Sequence, residues 1–179
     1  LLATNYEDAL DAVDKYGRNI IGLFTDGRFP RKNIMEEDSG LRLIDEVRDL
    51  YPHLPILFMS TEEHNRIPSQ QKGAVYINKH DRQLHAKINQ FMASRMGFGE
   101  FIFSDSENNQ YMSASNLNEL RDGIEQISEK SLLFHAERNH FSHWLRTRTE
   151  FEVAAAIREK KIDDFPSSDG VRNFMIESI

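Results

Sequence analysis

Three side chains able to handle a phosphoryl group stand at the ends of three short apolar runs. Asp26 closes the run Ile20-Ile21-Gly22-Leu23-Phe24-Thr25, and Pro30 follows four residues later. Ser60 closes Pro55-Ile56-Leu57-Phe58-Met59, and Lys79 closes Val75-Tyr76-Ile77-Asn78. A carboxylate held rigidly beside positive charge and hydrogen-bond donors can accept a phosphoryl group. A lysine ammonium supplies a point charge for a phosphoryl oxygen. A serine hydroxyl supplies a donor that follows the group once it arrives. Tyr76, three residues before Lys79, is placed to change rotamer when Ser60 moves.

A second stretch, Ser131 to Arg146, concentrates His135, Glu137, Arg138, His140, His143 and Trp144. Glu137, His140 and His143 are three apart, so on one continuous helix they climb one side. Such a set could hold a metal such as zinc. The spacing is not the His-Glu-x-x-His pattern, and no fourth ligand is evident. The competing reading is an interdomain hydrogen-bond network.

These residues need elements to position them. From residue 1 to about Arg95, short apolar runs alternate with amphipathic stretches, the mark of βαβ units on a parallel sheet. Leu1–Ala3 reads as the end of a strand. A helix is predicted over Tyr6–Tyr16, with Asn5 as N-cap and Gly17 as its stop. Ile20–Thr25 is predicted as a strand and 28–39 as an irregular polar loop. A helix over Leu41–Tyr51, a strand over Pro55–Ser60, a short helix near Pro68–Lys72, a strand over Val75–Asn78 and a helix over Asp81–Met96 follow. Open α/β sheets bind ligands at the carboxyl ends of their strands, which is where Asp26, Ser60 and Lys79 fall.

Gly97-Phe98-Gly99 marks a boundary, giving a βα sheet domain over 1–96 and an accessory domain over 97–179. The second region begins with a predicted hairpin, Phe101–Ser104 and Gln110–Ala114, around the turn-rich segment 105–109. Three helices are predicted after it, over Leu117–Ile127, Leu132–Leu145 and Glu150–Lys160. Thr149 and Glu152 form a capping-box pattern for the last. The arrangement is a small ββααα unit.

Composition narrows the classes. The chain has 179 residues, 39% hydrophobic and 28% charged, with a net charge of −7 and no cysteine. That charge argues against a nucleic-acid surface built on Arg138, Arg146, Arg148 and Trp144. No apolar run reaches the ~20 residues of a membrane span, and no leader pattern is visible. The absence of cysteine fits a cytoplasmic location. The chain opens Leu1-Leu2-Ala3 without a methionine, and an apolar-patterned segment begins at Asn173 near its end. Both ends read as cut from a longer polypeptide.

The ordered set Leu23-Phe24-Thr25-Asp26-x-x-x-Pro30, Ser39-Gly40-Leu41-x-Leu43-Ile44, Pro55-Ile56-Leu57-Phe58-Met59-Ser60 and Gly73-Ala74-x-Tyr76-x-x-Lys79 resembles response-regulator receiver domains. The resemblance covers about residues 1–96. It implies a flavodoxin-like doubly wound parallel sheet in strand order 2-1-3-4-5, with the first strand missing from this chain. It implies that Asp26 is the phosphoacceptor and a Mg²⁺ ligand, Ser60 the switch hydroxyl, Tyr76 the switch aromatic and Lys79 the phosphate-binding lysine. The acidic pair that completes the family's Mg²⁺ site would precede Leu1, so the metal site here is incomplete. His80 follows Lys79 where the family has proline, and a trans bond is expected there. Arg28, Arg31 or Lys32 could reach over Asp26 and take the cation's place.

His-Ala-Glu-Arg-Asn-His-Phe-Ser-x-Trp-Leu, followed by Arg-Thr-Glu-Phe-Glu, is similar to the small domain behind a receiver-like domain in bacterial phosphoenolpyruvate synthase/pyruvate phosphate dikinase-like proteins. That similarity covers about Phe98–Phe165. It implies the regulatory front of a larger phosphotransferase, served by a histidine kinase or a small phosphodonor. None of the dikinase catalytic elements lies in these residues, so the expected role is regulatory rather than that of a stand-alone enzyme. A non-phosphorylated pseudo-receiver that docks or forms homo-oligomers is one alternative. A metal-dependent enzyme using the histidine helix is the other. Neither a nucleic acid nor a membrane is an expected partner.

Overall fold

The computed structural model describes the backbone of residues 1–179 and every side chain except that of Arg18. The chain is mixed α/β and forms two compact units, Leu1–Phe91 and Met92–Ile179.

The first unit carries helix α1 (Tyr6–Tyr16), strand β1 (Leu23–Asp26), the hairpin β2 (Phe29–Arg31) and β3 (Ile34–Glu36), helix α2 (Ser39–Leu50), strand β4 (Ile56–Ser60), the short helix α3 (Arg66–Gln71), strand β5 (Val75–Asn78) and most of helix α4 (Leu84–Arg95). β1, β4 and β5 make a parallel three-stranded sheet in that order. β4 is central, and its run Ile56-Leu57-Phe58 is buried, as a strand covered on both faces must be. Asn5 caps α1 by accepting the Asp8 N–H at 2.8 Å. Tyr6, Val13, Leu43, Ile44 and Val47 on α1 and α2 close one core with Ile56, Phe58 and Tyr76. Gly17 stays small because a Cβ there would lie 2.0 Å from the Tyr51 hydroxyl. Arg48 pins the loops that launch β4 and β5, donating to the carbonyls of Pro52, Leu54, Lys72 and Gly73 at 2.7–3.1 Å. Burial lowers the pKa of its guanidinium from the ordinary value.

Two expectations for this unit change. Leu1–Ala3 forms no strand, and both leucines are exposed, because no neighbouring strand offers it a ladder. The segment 28–39 is not irregular but holds the β2–β3 ribbon, turned at Lys32 and Asn33 with φ of 50° and 63°. Consecutive positive φ values match the right-handed twist of a two-residue hairpin.

The second unit holds strands β6 (Phe101–Ser104) and β7 (Gln110–Ala114), paired antiparallel as expected. Helices α5 (Leu117–Gln126), α6 (Glu129–Glu137), α7 (His140–Thr147), α8 (Phe151–Glu159) and α9 (Ser168–Ser178) follow. Its core gathers Phe101, Phe103, Leu120, Ile124, Leu132, Phe141, Trp144 and Leu145. The single helix expected over 132–145 is broken between α6 and α7, where Asn139 takes φ 57°, ψ 25°. Asparagine tolerates this left-handed conformation better than most residues. Thr149 also lies at positive φ, so Glu150 rather than Thr149 is the N-cap of α8, and no side-chain cap forms. Ser168–Ser178 adds a helix beyond the three expected.

Candidate functional site at the strand tips

The parallel register carries past the strand ends. Gly27 N–H donates to the Met59 carbonyl at 3.0 Å, and Lys79 N–H donates to the Ser60 carbonyl at 3.0 Å. Adjacent strand tips are thereby tied together, which brings Asp26, Ser60 and Lys79 to one end of the sheet. Lys79 Nζ donates to Asp26 Oδ2, and Gly27 N–H donates to Asp26 Oδ1 at 2.7 Å. The pair remains open to water, with side-chain exposures of 36% for Lys79 and 45% for Asp26. A carboxylate accepting from an ammonium and a backbone amide is fixed in direction yet reachable from outside, the condition for a nucleophile.

The approach of α2 depends on Gly40. Its N–H donates to the Gly27 carbonyl at 3.1 Å, and a Cβ there would lie 2.0 Å from the Asp26 carbonyl oxygen. Next to it, Ser39 Oγ accepts from Phe29 N–H at 2.9 Å and meets the carbonyls of Phe29 and Glu36, anchoring the β2–β3 ribbon.

Ser60 Oγ accepts from Glu62 N–H at 3.0 Å and from Asn65 Nδ2 at 3.1 Å. Tyr76 donates its hydroxyl to the Glu62 carbonyl at 3.1 Å and stacks on Phe58. Ser60 and Tyr76 therefore grip the same residue, one by its N–H and the other by its C=O. The Arg66 guanidinium lies 4.8 Å from the centroid of the Tyr76 ring. Burial first, and then the Glu63 carboxylate, raise the Tyr76 pKa from its ordinary value, so the hydroxyl stays a donor.

Of the loop cations expected over Asp26, Arg31 is engaged elsewhere: its guanidinium lies 5.0 Å from the centroid of the Tyr6 ring and pairs with Glu36. Lys32 is tied through its backbone, whose N–H donates to Glu7. Lys79 is the cation on Asp26. The Lys79–His80 bond is trans, as expected. Among the described residues, no group of three or more His, Cys, Asp or Glu could hold a metal ion. Asp26, with one oxygen on an ammonium, does not make a Mg²⁺ site by itself.

The histidine stretch is arranged differently. The break at Asn139 separates Glu137 from His140 and His143, so the three do not share one helix face. Glu137 is exposed and pairs with Arg138, which also lies over the Phe134 ring. His135 is buried; its Nε2 accepts from Ser104 N–H at 2.9 Å, and its Nδ1 stands 2.9 Å from His140 Nδ1. An accepting Nε2 puts the His135 proton on Nδ1, donated to His140. Burial first, and then His140, push the His135 pKa down to about 3. Trp144 Nε1 donates to the Gly99 carbonyl at 3.0 Å, while Arg148 lies on its ring and donates to the carbonyls of Gly97 and Gly99. These polar groups hold β6 and the Gly97–Gly99 turn.

Asn65 has no signal in the sequence, since it ends a short 3-10 turn, Glu63–Asn65, of ordinary polar composition. Only its burial and its bond to Ser60 mark it.

No protein-family model, curated protein or solved structure matches the chain. Among the described residues, no helix is long and apolar enough to cross a membrane.

Proposed function

We propose that the first unit is a receiver-like signalling module of flavodoxin-like type, with Asp26 as the phosphoacceptor. The observation that carries this reading is the meeting of Asp26, Lys79 and Ser60 at the carboxyl end of one parallel sheet. In the proposed step an Asp26 oxygen attacks phosphorus, and the bond from phosphorus to the leaving group breaks. The leaving group departs with the electron pair. Lys79 neutralises charge on the transferred group, and the Ser60 hydroxyl donates to it. Glu62, bonded to Ser60 through its N–H and to Tyr76 through its C=O, offers the relay. A phosphoryl group that moves Ser60 disturbs the peptide that holds Tyr76.

The resemblance of the second unit supports a role as the regulatory front of a phosphoenolpyruvate synthase/pyruvate phosphate dikinase-like protein. A histidine kinase or a small phosphodonor supplies the group.

The test is intact-mass analysis after exposure to acetyl phosphate, with and without Mg²⁺. Wild type gains one phosphoryl group and Asp26→Asn gains none. Equal labelling of both proteins, or none of either, sinks the reading. The Lys79 ammonium already seated on Asp26 favours a second reading, a non-phosphorylated docking module. That reading stands if no Asp26-dependent mass gain occurs.

A further inference from the structure

The Ser60 hydroxyl has one proton to donate and two lone pairs to accept with. Both lone pairs are taken, by Glu62 N–H at 3.0 Å and by Asn65 Nδ2 at 3.1 Å. The second donor is unusual for its setting. Asn65 is 5% exposed, and its side chain is directed not at solvent but back toward the strand tips. Its amide lies beside Gly27. A Cβ built on Gly27 would lie 3.1 Å from Ser60 Oγ and 3.3 Å from Asn65 Nδ2. Serine hydroxyl and asparagine amide are thus packed together against the residue that follows Asp26.

We infer that Asn65 is a positioning residue of the Asp26 site, which holds the Ser60 oxygen as an acceptor so that its proton is committed to an anionic group carried on Asp26. This rests on the phosphoacceptor reading of Asp26. Without the amide, the hydroxyl rotates among several orientations and can spend its proton elsewhere. A donor fixed before the charge arrives needs no reorganisation when it does. The amide cannot be replaced by a carboxylate, which would draw the Ser60 proton to itself and repel an anion. Asn65 acts through Ser60 and touches no reacting atom.

The test is titration of the full chain with beryllofluoride, a phosphoryl mimic, in buffer containing Mg²⁺, following backbone amide resonances. Asn65→Ala weakens binding about tenfold relative to wild type, as expected for loss of one oriented hydrogen bond to a charged group. Asn65→Asp weakens it further. The deciding measurement is the same substitution in a Ser60→Ala background. If Asn65 acts by orienting the hydroxyl, Asn65→Ala then changes the affinity no further. A residue that merely supports the loop would still lower affinity in that background, and such a result overturns the inference. Equal affinity of wild type and Asn65→Ala overturns it too, while leaving Asp26 as acceptor untouched. Failure of wild type to bind beryllofluoride at Asp26 removes the phosphoacceptor reading and this inference with it.

Discussion

The strand tips of the first unit and the histidine stretch of the second both concentrate polar and aromatic side chains and use them in opposite ways. Lys79 bonds to Asp26, whose other oxygen accepts from Gly27 N–H, and the pair faces water. Trp144 and Arg148 bond to backbone, the carbonyls of Gly97 and Gly99, and His135 divides its ring between Ser104 N–H and His140. A polar group whose bonding capacity is spent on its own backbone holds the fold and has little left for a ligand. A polar group whose main partner is another exposed side chain can exchange that partner. Chemistry-bearing residue types mark both regions, and the identity of their partners separates them.

That contrast predicts large stability effects in the second unit and small ones at the strand tips. Trp144→Ala removes a side chain that is 1% exposed and takes away the surface on which Arg148 rests. It costs about 3–5 kcal/mol, the range for a buried aromatic, read as the loss of a circular-dichroism melting transition. Asp26-dependent labelling persists in this variant; its loss would break the distinction between the two regions.

The next effect is one of pH. His135 titrates near its ordinary value of 6.5 when unfolded and at about 3 when folded. A folded pKa below the unfolded one means that the unfolded state binds the extra proton. The contribution is therefore intact above about pH 6.5 and falls as pH drops from there toward 3. The slope within that window approaches ~1.4 kcal/mol per pH unit. His135→Gln keeps an acceptor for Ser104 N–H without a titrating ring. Urea unfolding followed by Trp144 fluorescence, with wild type losing about 2 kcal/mol more than His135→Gln between pH 7 and 5, bears this out. Parallel losses would show that His135 is not the titrating group.

The smallest stability effect is expected at the site proposed for function. Lys79→Met breaks an exposed ion pair and costs less than about 1 kcal/mol, the range for surface pairs. The same change abolishes Asp26 labelling by acetyl phosphate. A loss of several kcal/mol would reclassify the pair as structural and favour the docking reading. Gly40→Ala sharpens the comparison from the other side. It leaves the identities of Asp26 and Lys79 unchanged but drives a methyl group into the Asp26 carbonyl, so it displaces the strand tip and slows labelling.

Legibility in the sequence followed local physics. The runs ending at Asp26, Ser60 and Lys79 were readable because a buried parallel strand needs a short apolar stretch, and its end is visible where polarity returns. The hairpin at 101–114 was readable from its turn residues, and Asn5 from its place before an amphipathic stretch. The β2–β3 ribbon was not, because Pro30 argues against a strand and Lys32-Asn33 is a weak hairpin signal beside Asn-Gly. The break at Asn139 was hidden as well. An asparagine inside a helical pattern carries no local sign that tertiary packing will turn it left-handed.

The residue types at the three strand ends, their order and the alternation that makes an α/β sheet were fixed by the sequence alone, since burial period and turn chemistry are local properties. Which groups meet was decided by the tertiary structure. Parallel pairing of β1, β4 and β5 joins Asp26 to Lys79 across 53 positions of chain, and the Ser60–Asn65 bond arises from the loop that packs against Gly27. His135, read as a candidate ligand, became a clasp on β6. A hydrogen bond is satisfied by whatever partner the fold brings within reach, and that choice is made by packing at long range.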